Sequence, residues 1–366
     1  MHILYGVQTT GHGHLIRSAA MLQALRDLGH TVHTLFSGDP SKEIWNRSHF
    51  EPCTRMQGLT FCSRRGRIRY LKTAGQLDLR RFFSDISTFP AGGFDLVVTD
   101  YEPISARIAR RWGITSLGIG HLYSFEHEVP ISGKSLPGSR LIMRRFAPVD
   151  VPLGLHWHHF GQPILPPTIP PEVQPAASAQ LDKILVYLPF ESLSDIAGFL
   201  RPFRDHRFFV YCRCQAPHRR GNLELRPFSR EGFVKDLGEC NGVICNAGFS
   251  LVSEALHLGK KVLVKPLAGQ IEQSSNAKAL QRLALGSVMQ ALETGAVGKW
   301  LQLPQPRPQN YPDVIDPVAK WIDSGDWASP LDLARSLWKV RTGWPFTEGQ
   351  SLRSSRQRTS KPGLAS

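Results

Sequence analysis

The chain has 366 residues, and its 44 Lys and Arg against 30 Asp and Glu give a formal net charge of +14. Its length suits about two domains, and 41% hydrophobic with 20% charged residues is ordinary for a chain that buries a core. These values exclude a wholly disordered or fibrous protein. No apolar stretch reaches the roughly 18 residues of a membrane-spanning helix, and the first residues form a strand-like run. We therefore expect neither a secretory signal nor a membrane anchor.

The six cysteines are few for this length and lie mostly in apolar, strand-like segments such as FFVYC and GVICNA. This usage predicts a reduced, cytoplasmic protein. Cys212 and Cys214 would share one face of a strand, but no cluster of Cys or His at zinc-ligand spacing accompanies them in the sequence. No metal site is therefore predicted.

Strand-like and helix-like segments alternate along most of the chain, which predicts parallel sheets covered by helices. The run GQPILPPTIPPEVQP contains six prolines, which indicates a linker between domains. We predict an α/β protein with two Rossmann-like domains. The N-terminal domain spans 1–160, a Pro-rich linker spans 161–180, and the C-terminal domain spans 181–325. A helix and a basic tail that we expect to be disordered follow at 326–366.

A glycine-rich turn, TTGHGH, follows the first strand and leads into an apolar helix. Ligands bind at the carboxyl ends of parallel strands, so His14 at this corner is a candidate general base. A structural role at the start of the helix is the alternative. A dinucleotide-binding loop is the rival interpretation, but it needs a glycine where the chain has Ile16. The second strand also ends in Ser37 and Gly38 instead of an acidic residue.

The stretch from Gly13 and His14 to the Leu-Gly-His-Thr-Val turn at 28–32 resembles the opening of GT-B glycosyltransferases. Two further segments, GHGHLIR and VYLPFE, resemble a bacterial and archaeal group of GT-B proteins, and the lipid II-forming transferases are more distantly similar. The resemblance implies two Rossmann-like domains that face each other across a cleft. It also implies that His14 takes the proton from the acceptor hydroxyl, with His12 a weaker candidate that would contact the acceptor.

Three polar residues downstream follow strand-like runs. Asp100 ends DLVVTD, and in GT-B proteins this pattern places an acidic residue near the base. A carboxylate there would orient His14 and stabilise its protonated form, although capping the next helix is an equal alternative. Glu102 is an alternate to Asp100 and a candidate acceptor contact. His121 ends the next strand and is a second candidate acceptor contact.

The segment CNAGFSLVSEALHLG and its continuation KKVLVKPLAGQIEQSSNA resemble the donor site of GT-B transferases. A helix that starts at Gly248, Phe249 and Ser250 would receive the diphosphate with its free amides and dipole, which requires no metal. By resemblance, Glu254 would accept both ribose hydroxyls. Glu272 and Gln273 would contact the donor sugar. The nucleotide sugar would be a co-substrate, and no cofactor is predicted.

The donor segment departs from the family pattern in ways that affect the base. Asn246 stands where many relatives have a phosphate-contacting His, and the leading Trp and Gln of the plant-type signature are missing. Phe228, in LRPFSREGF, is a candidate base-stacking residue, with a core position as the alternative. Uridine is expected from the resemblance alone.

A basic stretch, FCSRRGRIRYLKTAGQLDLRRFF, carries Arg64 and Arg65 and could bind an anionic or lipid-linked glycan acceptor or an anionic membrane surface. A solvated face is the alternative interpretation. The protein would then be cytoplasmic and peripheral at the inner face of the membrane. A nucleic-acid-binding protein is a second function class, but no binding motif appears and the charge is diffuse, so no nucleic acid partner is expected. A third function class is an enzyme of the same fold that epimerises a nucleotide sugar.

Overall fold

The computed structural model describes residues 1–9, 12–38, 44, 47–58, 63–64, 67–68, 78–132 and 139–339. Within this part the chain forms two seven-stranded sheets, a small hairpin and covering helices. The strands are β1 (His2–Gln8), β2 (Thr31–Ser37), β3 (Cys53–Met56), β4 (Ser63–Arg64), β5 (Arg67–Ile68), β6 (Leu96–Asp100), β7 (Ser116–Gly120), β8 (Val151–Leu155), β9 (Ile164–Leu165), β10 (Gln180–Tyr187), β11 (Arg207–Tyr211), β12 (His218–Arg220), β13 (Leu223–Arg226), β14 (Cys240–Asn246), β15 (Lys261–Lys265) and β16 (Ser287–Val288).

The helices cover both sheets and complete the α/β layers. They are α1 (His12–Asp27), α2 (Leu79–Thr88), α3 (Pro103–Trp112), α4 (Ser139–Phe146), α5 (Leu193–Leu200), α6 (Arg230–Glu239), α7 (Phe249–His257), α8 (Ile271–Arg282), α9 (Thr294–Leu301), α10 (Ile315–Asp323) and α11 (Pro330–Lys339), with 3₁₀ helices at Arg47–Phe50 and His121–Glu126. Among the described residues, no helix has both the length and the apolar character that crossing a membrane demands.

The N-terminal sheet has the strand order β3-β2-β1-β6-β7-β8-β9, and all its pairs are parallel. Every residue of β6 and β7 is buried, as expected for central strands covered on both faces. Since these strands run in one direction, their carboxyl ends meet at one edge. That edge carries the start of α1, Asp100 at the end of β6 and His121 directly after β7.

The C-terminal sheet has the order β12-β13-β11-β10-β14-β15-β16 and is parallel apart from the β12–β13 pair. The carboxyl ends of β10, β11, β14 and β15 face the corresponding edge of the N-terminal sheet. The predicted α/β class, with two Rossmann-like parallel sheets that face each other across a cleft, is confirmed.

Several segments from the middle and the end of the chain pack against the N-terminal sheet and its helices. β9 pairs with β8, so the first residues of the Pro-rich segment belong to the N-terminal sheet. α10 packs against α1, and Trp338 of α11 donates a hydrogen bond from Nε1 to the carbonyl of Ile164 at 2.7 Å. The domain boundaries drawn from the sequence stay predictions, and the tail that we expected to be disordered lies beyond the described residues after 339.

A stability test follows from the contact between β8 and the 3₁₀ helix that carries His121. A Cβ added at Gly154 of β8 would lie 2.6 Å from backbone atoms of Ser124. Because backbone cannot move aside cheaply, we expect Gly154→Ala to destabilise the fold by about 1–3 kcal/mol. Chemical denaturation monitored by circular dichroism would measure the free energy of unfolding.

Gly198 in α5 is the matched control. Nothing lies within 4 Å of a Cβ built at this position, and alanine is a better helix former than glycine by about 1 kcal/mol. Gly198→Ala should therefore leave stability unchanged or raise it slightly. Equal effects of the two substitutions would show that the contact with Ser124 does not constrain the fold.

Candidate functional site

A cavity of about 990 Å³ lies between the carboxyl edges of the two sheets. Residues from both halves line it, including His14 and Arg17 from the first half and Phe228, Ser250 and Glu254 from the second. A cavity of this size suits a ligand as large as a nucleotide sugar.

His14 lines this cavity, and Asp100 lies directly behind it. Nδ1 of His14 lies 3.2 Å from Oδ2 of Asp100, and the histidine side chain is 22% exposed whereas the carboxylate is 1% exposed. His14 is the third residue of α1, and Asp100 is the last of β6. The geometry gives an accessible imidazole with a buried carboxylate behind it, which is the arrangement of a supported general base.

Two residues that the sequence analysis did not identify complete this cluster. Nη2 of Arg17 lies 2.8 Å from Nδ1 of His14 and makes a short contact with Oδ1 of Asp100. The Ser18 hydroxyl donates to Oδ2 of Asp100 at 3.2 Å. Burial raises the pKa of the Asp100 carboxyl, but the charges of Arg17 and His14 outweigh it and hold that pKa below its usual value. The spacing of His14 and Arg17 on one helix face was the available signal.

Glu102 and His121, both expected to contact an acceptor, make hydrogen bonds within the protein. Glu102 is fully buried and caps α3, accepting from the amides of Ile104 and Ser105 at 2.7 and 2.6 Å. His121 is on the cavity wall, but its Nδ1 and Nε2 atoms hydrogen-bond to the Leu155 carbonyl and the Asn276 side chain at 2.8 and 2.6 Å. The polar atoms of both residues are thus engaged within the protein, and acceptor contact at either one stays a prediction.

The start of α7 is an open helix N-terminus in the cavity wall. Gly248 is its N-cap and supplies no side-chain hydrogen bond, so the first amides have no partner from a capping side chain. A Cβ at Gly13 would lie 2.3 Å from Oγ of Ser250, so the first turn of α1 approaches this helix closely. The Phe249 ring is buried against His121, with ring centroids 4.0 Å apart, which leaves Phe249 only its backbone to offer a ligand.

Glu254 lies one turn further along α7 and is paired with an arginine. Its Oε1 and Oε2 atoms lie 3.3 and 3.4 Å from Nη2 and Nη1 of Arg230. Arg230 also contacts Glu172 of the Pro-rich segment at 2.9 Å. Burial raises the pKa of Glu254, and Arg230 partly opposes this effect. Arg230 was missed because nothing in SREGF shows that the start of α6 faces α7.

The remaining donor-site candidates also lie on the cavity wall. Asn246 donates from Nδ2 to the Lys265 carbonyl at 2.9 Å, and its buried Oδ1 has no partner within the described part of the chain. Gln273 accepts from the Leu267 amide at 2.8 Å. Glu272 is partly exposed in the first turn of α8.

Phe228 has an exposed ring, at 46%, in the part of the cavity formed by the C-terminal sheet. It meets Tyr187 edge to face, with centroids 5.8 Å apart. The alternative of a core position is wrong, because a core ring would be buried. An exposed aromatic face beside a second ring is suited to stacking on a planar base.

Three predicted residues lie wholly or partly outside the described structure. Arg65 is not described, and nothing is described of the side chains of His12 and Arg64. Among the described residues, no group of three or more His, Cys, Asp or Glu side chains is arranged to hold a metal ion.

Comparisons with known proteins agree with this architecture. Residues 1–304 match the family model described as glycosyl transferase family 1. The kitacinnamycin glycotransferase structure is 14% identical, with a TM-score of 0.57 over 93% of this chain and 98% of the other. SnogD from Streptomyces nogalater is 17% identical, with a TM-score of 0.50 over 93% and 99%. The spinosyn rhamnosyltransferase SpnG complexed with thymidine diphosphate is 13% identical, with a TM-score of 0.57 over 92% and 100%. None of the curated proteins matches the sequence. The expected GT-B fold is confirmed.

The burial of Asp100 gives a pH-dependent stability prediction. Removing one member of a buried ion pair costs about 3 kcal/mol, so Asp100→Asn should lower the free energy of unfolding by this amount at pH 7. Since the folded-state pKa lies below the unfolded value of about 3.9, the stabilisation is complete above about pH 5 and is lost as pH falls through the folded-state pKa. Urea unfolding of the wild-type protein and Asp100→Asn between pH 3.5 and pH 8 would measure the difference between their free energies of unfolding. This difference should narrow only below about pH 5. A constant difference down to the lowest pH would contradict an ionised, paired Asp100.

Proposed function

Since the chain belongs to glycosyl transferase family 1 and is a glycosyltransferase, we propose that it moves a sugar from a UDP-linked donor to a hydroxyl of a glycan acceptor. The observation that carries this proposal is the shared cavity. The His14–Asp100 pair and the open start of α7 face the same space, and Gly13 and Ser250 are in close contact. A base for the acceptor and a site for the leaving diphosphate are therefore neighbours.

On the acceptor side, His14 removes the proton from the attacking hydroxyl. The Arg17 charge keeps Asp100 ionised, and this carboxylate stabilises the imidazolium that forms. The hydroxyl oxygen attacks the anomeric carbon while the bond to the diphosphate breaks. Direct attack activated by a base implies inversion at that carbon.

On the donor side, the start of α7 receives the diphosphate. The first amides of this helix and its dipole stabilise the negative charge that develops as the bond breaks. This source of positive potential supports a transfer that proceeds without a metal ion. We therefore expect turnover to persist in the presence of a chelator.

The nucleoside lies against the C-terminal sheet in this proposal. Glu254, held in place by Arg230, accepts the ribose hydroxyls, which requires Arg230 to share or release one carboxylate oxygen. Phe228 stacks on the base. Glu272 and Gln273 contact the sugar. One structurally similar glycosyltransferase is complexed with thymidine diphosphate, and this pyrimidine nucleotide supports a uridine or thymidine donor over a purine one.

One pair of variants tests the acceptor-side and donor-side roles separately. His14→Ala should lower kcat about 10²–10⁴-fold and leave donor affinity unchanged, because it removes only acid–base chemistry. Glu254→Ala should weaken nucleotide binding about tenfold or more, because it removes the ribose contact. Calorimetry with UDP, GDP, dTDP and their sugar conjugates, followed by turnover with candidate acceptors, gives both quantities.

Two exposed residues provide matched controls. Glu231, beside Arg230, and His218, in β12, are both exposed, so their replacement by alanine should change neither binding nor turnover. If His14→Ala weakens UDP binding while Glu254→Ala lowers kcat alone, the two roles are reversed. Isomerisation of the sugar without an acceptor would point to an epimerase instead.

For the acceptor, we propose a lipid-linked or anionic glycan at the cytoplasmic face of a membrane. α2 presents Leu79 and Phe83, 52% and 60% exposed, together with exposed Arg80 and Arg81. Apolar side chains next to cations are the combination that binds anionic lipid surfaces.

We expect the protein to sediment with phosphatidylglycerol vesicles at low salt and Phe83→Asp to reduce the bound fraction several-fold. Leu181→Asp is the control, because Leu181 is 75% exposed at the start of β10, outside α2. Equal loss in both variants, or no binding by the wild-type protein, would remove the support for a membrane-bound acceptor.

A further inference from the structure

Arg17 contacts both members of the His14–Asp100 pair. Its Nη2 atom lies 2.8 Å from Nδ1 of His14 and makes a short hydrogen bond to Oδ1 of Asp100. The same Nδ1 atom lies 3.2 Å from Oδ2 of Asp100. This ring nitrogen therefore has two competing partners, a guanidinium that only donates hydrogen bonds and a carboxylate that only accepts them.

The competition decides which nitrogen of neutral His14 carries the proton. A hydrogen bond from Arg17 requires the lone pair of Nδ1 and leaves the proton on Nε2. In that tautomer, Nε2 cannot accept a proton from a hydroxyl. A base at Nε2 requires the other tautomer, in which Nδ1–H donates to Asp100. The contact between Arg17 and His14 is the shorter one, so the unliganded arrangement favours the inactive tautomer.

Arg17 also has hydrogen-bonding capacity left for a ligand. It lines the cavity with a side chain that is 12% exposed, and its buried Nε has no hydrogen-bond partner among the residues that the structure describes. A guanidinium binds phosphate and carboxylate oxygens with paired hydrogen bonds. Of the nearby titratable groups, burial raises the pKa of Tyr5 and lowers the pKa of His121. Tyr5 is therefore not an anion and His121 is not a cation, so neither adds a charge beside Arg17.

We propose that Arg17 is a switch that an anionic group of the substrate operates. In the unliganded enzyme, Arg17 holds His14 with its proton on Nε2. A phosphate or carboxylate oxygen beside Arg17 draws the guanidinium away from Nδ1. The ring then exchanges its proton from Nε2 to Nδ1 through solvent, with no net change in protonation, and Nε2 becomes free to act as the base.

This inference rests on the proposed function, because it assumes that His14 is the base. It adds that a substrate carries an anion close to His14. The anion is either the diphosphate of the donor or an acidic group of the acceptor. Arg17 is a positioning residue in this scheme, since it acts on the acceptor hydroxyl only through His14.

The tautomer of His14 can be measured directly by long-range ¹H–¹⁵N NMR of the full chain labelled at histidine, with the His14 signals assigned by their loss in His14→Ala. We expect the proton on Nε2 in the wild-type protein and on Nδ1 in Arg17→Met. Ser18→Ala is the matched control, because it removes another hydrogen bond to Asp100 but leaves Arg17 in place. It should keep the wild-type pattern.

Titration of the wild-type protein needs no variant and identifies the source of the anion. A move of the proton to Nδ1 on addition of UDP assigns the trigger to the diphosphate. A move only when inorganic phosphate or glucuronate is added to the UDP-saturated protein assigns it to the acceptor. A proton already on Nδ1 in the unliganded protein, or no move with any of these probes, overturns the proposal.

Calorimetry on the same samples separates this proposal from the proposed function. If UDP binds and no probe moves the proton, the switch is wrong and the donor site stands. If UDP does not bind but inorganic phosphate moves the proton, the switch stands and the donor site is wrong.

Discussion

The packing of one aromatic ring across the cleft determines how the two halves of the molecule meet. Phe249, at the start of α7, packs against two rings of the N-terminal half, the parallel His121 ring 4.0 Å away and the Trp157 ring 5.3 Å away. The Trp157 indole donates to Ser253 on the same helix at 2.8 Å. Because these contacts hold the Phe249 ring against the N-terminal half, the start of α7 is fixed close to Gly13 and the histidine that follows it.

The same electrostatic interaction occurs on both sides of the cavity. Each contains a buried carboxylate, Asp100 or Glu254, and each carboxylate is paired with an arginine of its own half, Arg17 or Arg230. Burial alone would favour the neutral acid in both places. The arginines oppose this effect, and in doing so they engage the carboxylate oxygens and, through Arg17, Nδ1 of His14. A ligand that uses these groups must therefore exchange hydrogen bonds with the arginines.

The sequence predicted the fold because its signals are local and repeated. Strand ends, glycine turns and the spacing of GFSLVSE identified the positions of His14, Asp100, Gly248 and Glu254 at the edges of two sheets. It did not predict which of two nearby carboxylates caps a helix, because Asp100 and Glu102 differ only in how the chain turns after β6. The roles of His121 and Arg230 depend on contacts between distant segments, and such contacts leave no pattern in either segment alone.

The crossing of the chain's last helices constrains how this architecture can be recombined. α10 and α11 follow the C-terminal sheet in the chain but pack against α1 and β9, and His30 Nε2 lies 3.1 Å from Asp323 Oδ1. The chain thus passes between the halves twice, in the Pro-rich segment and again before α10. A chimaera that imports another C-terminal sheet must keep residues 315–339 from the parent of the N-terminal sheet, or the Ile164 carbonyl loses its Trp338 donor. Relative rotation of the halves must likewise be absorbed at two points in the backbone.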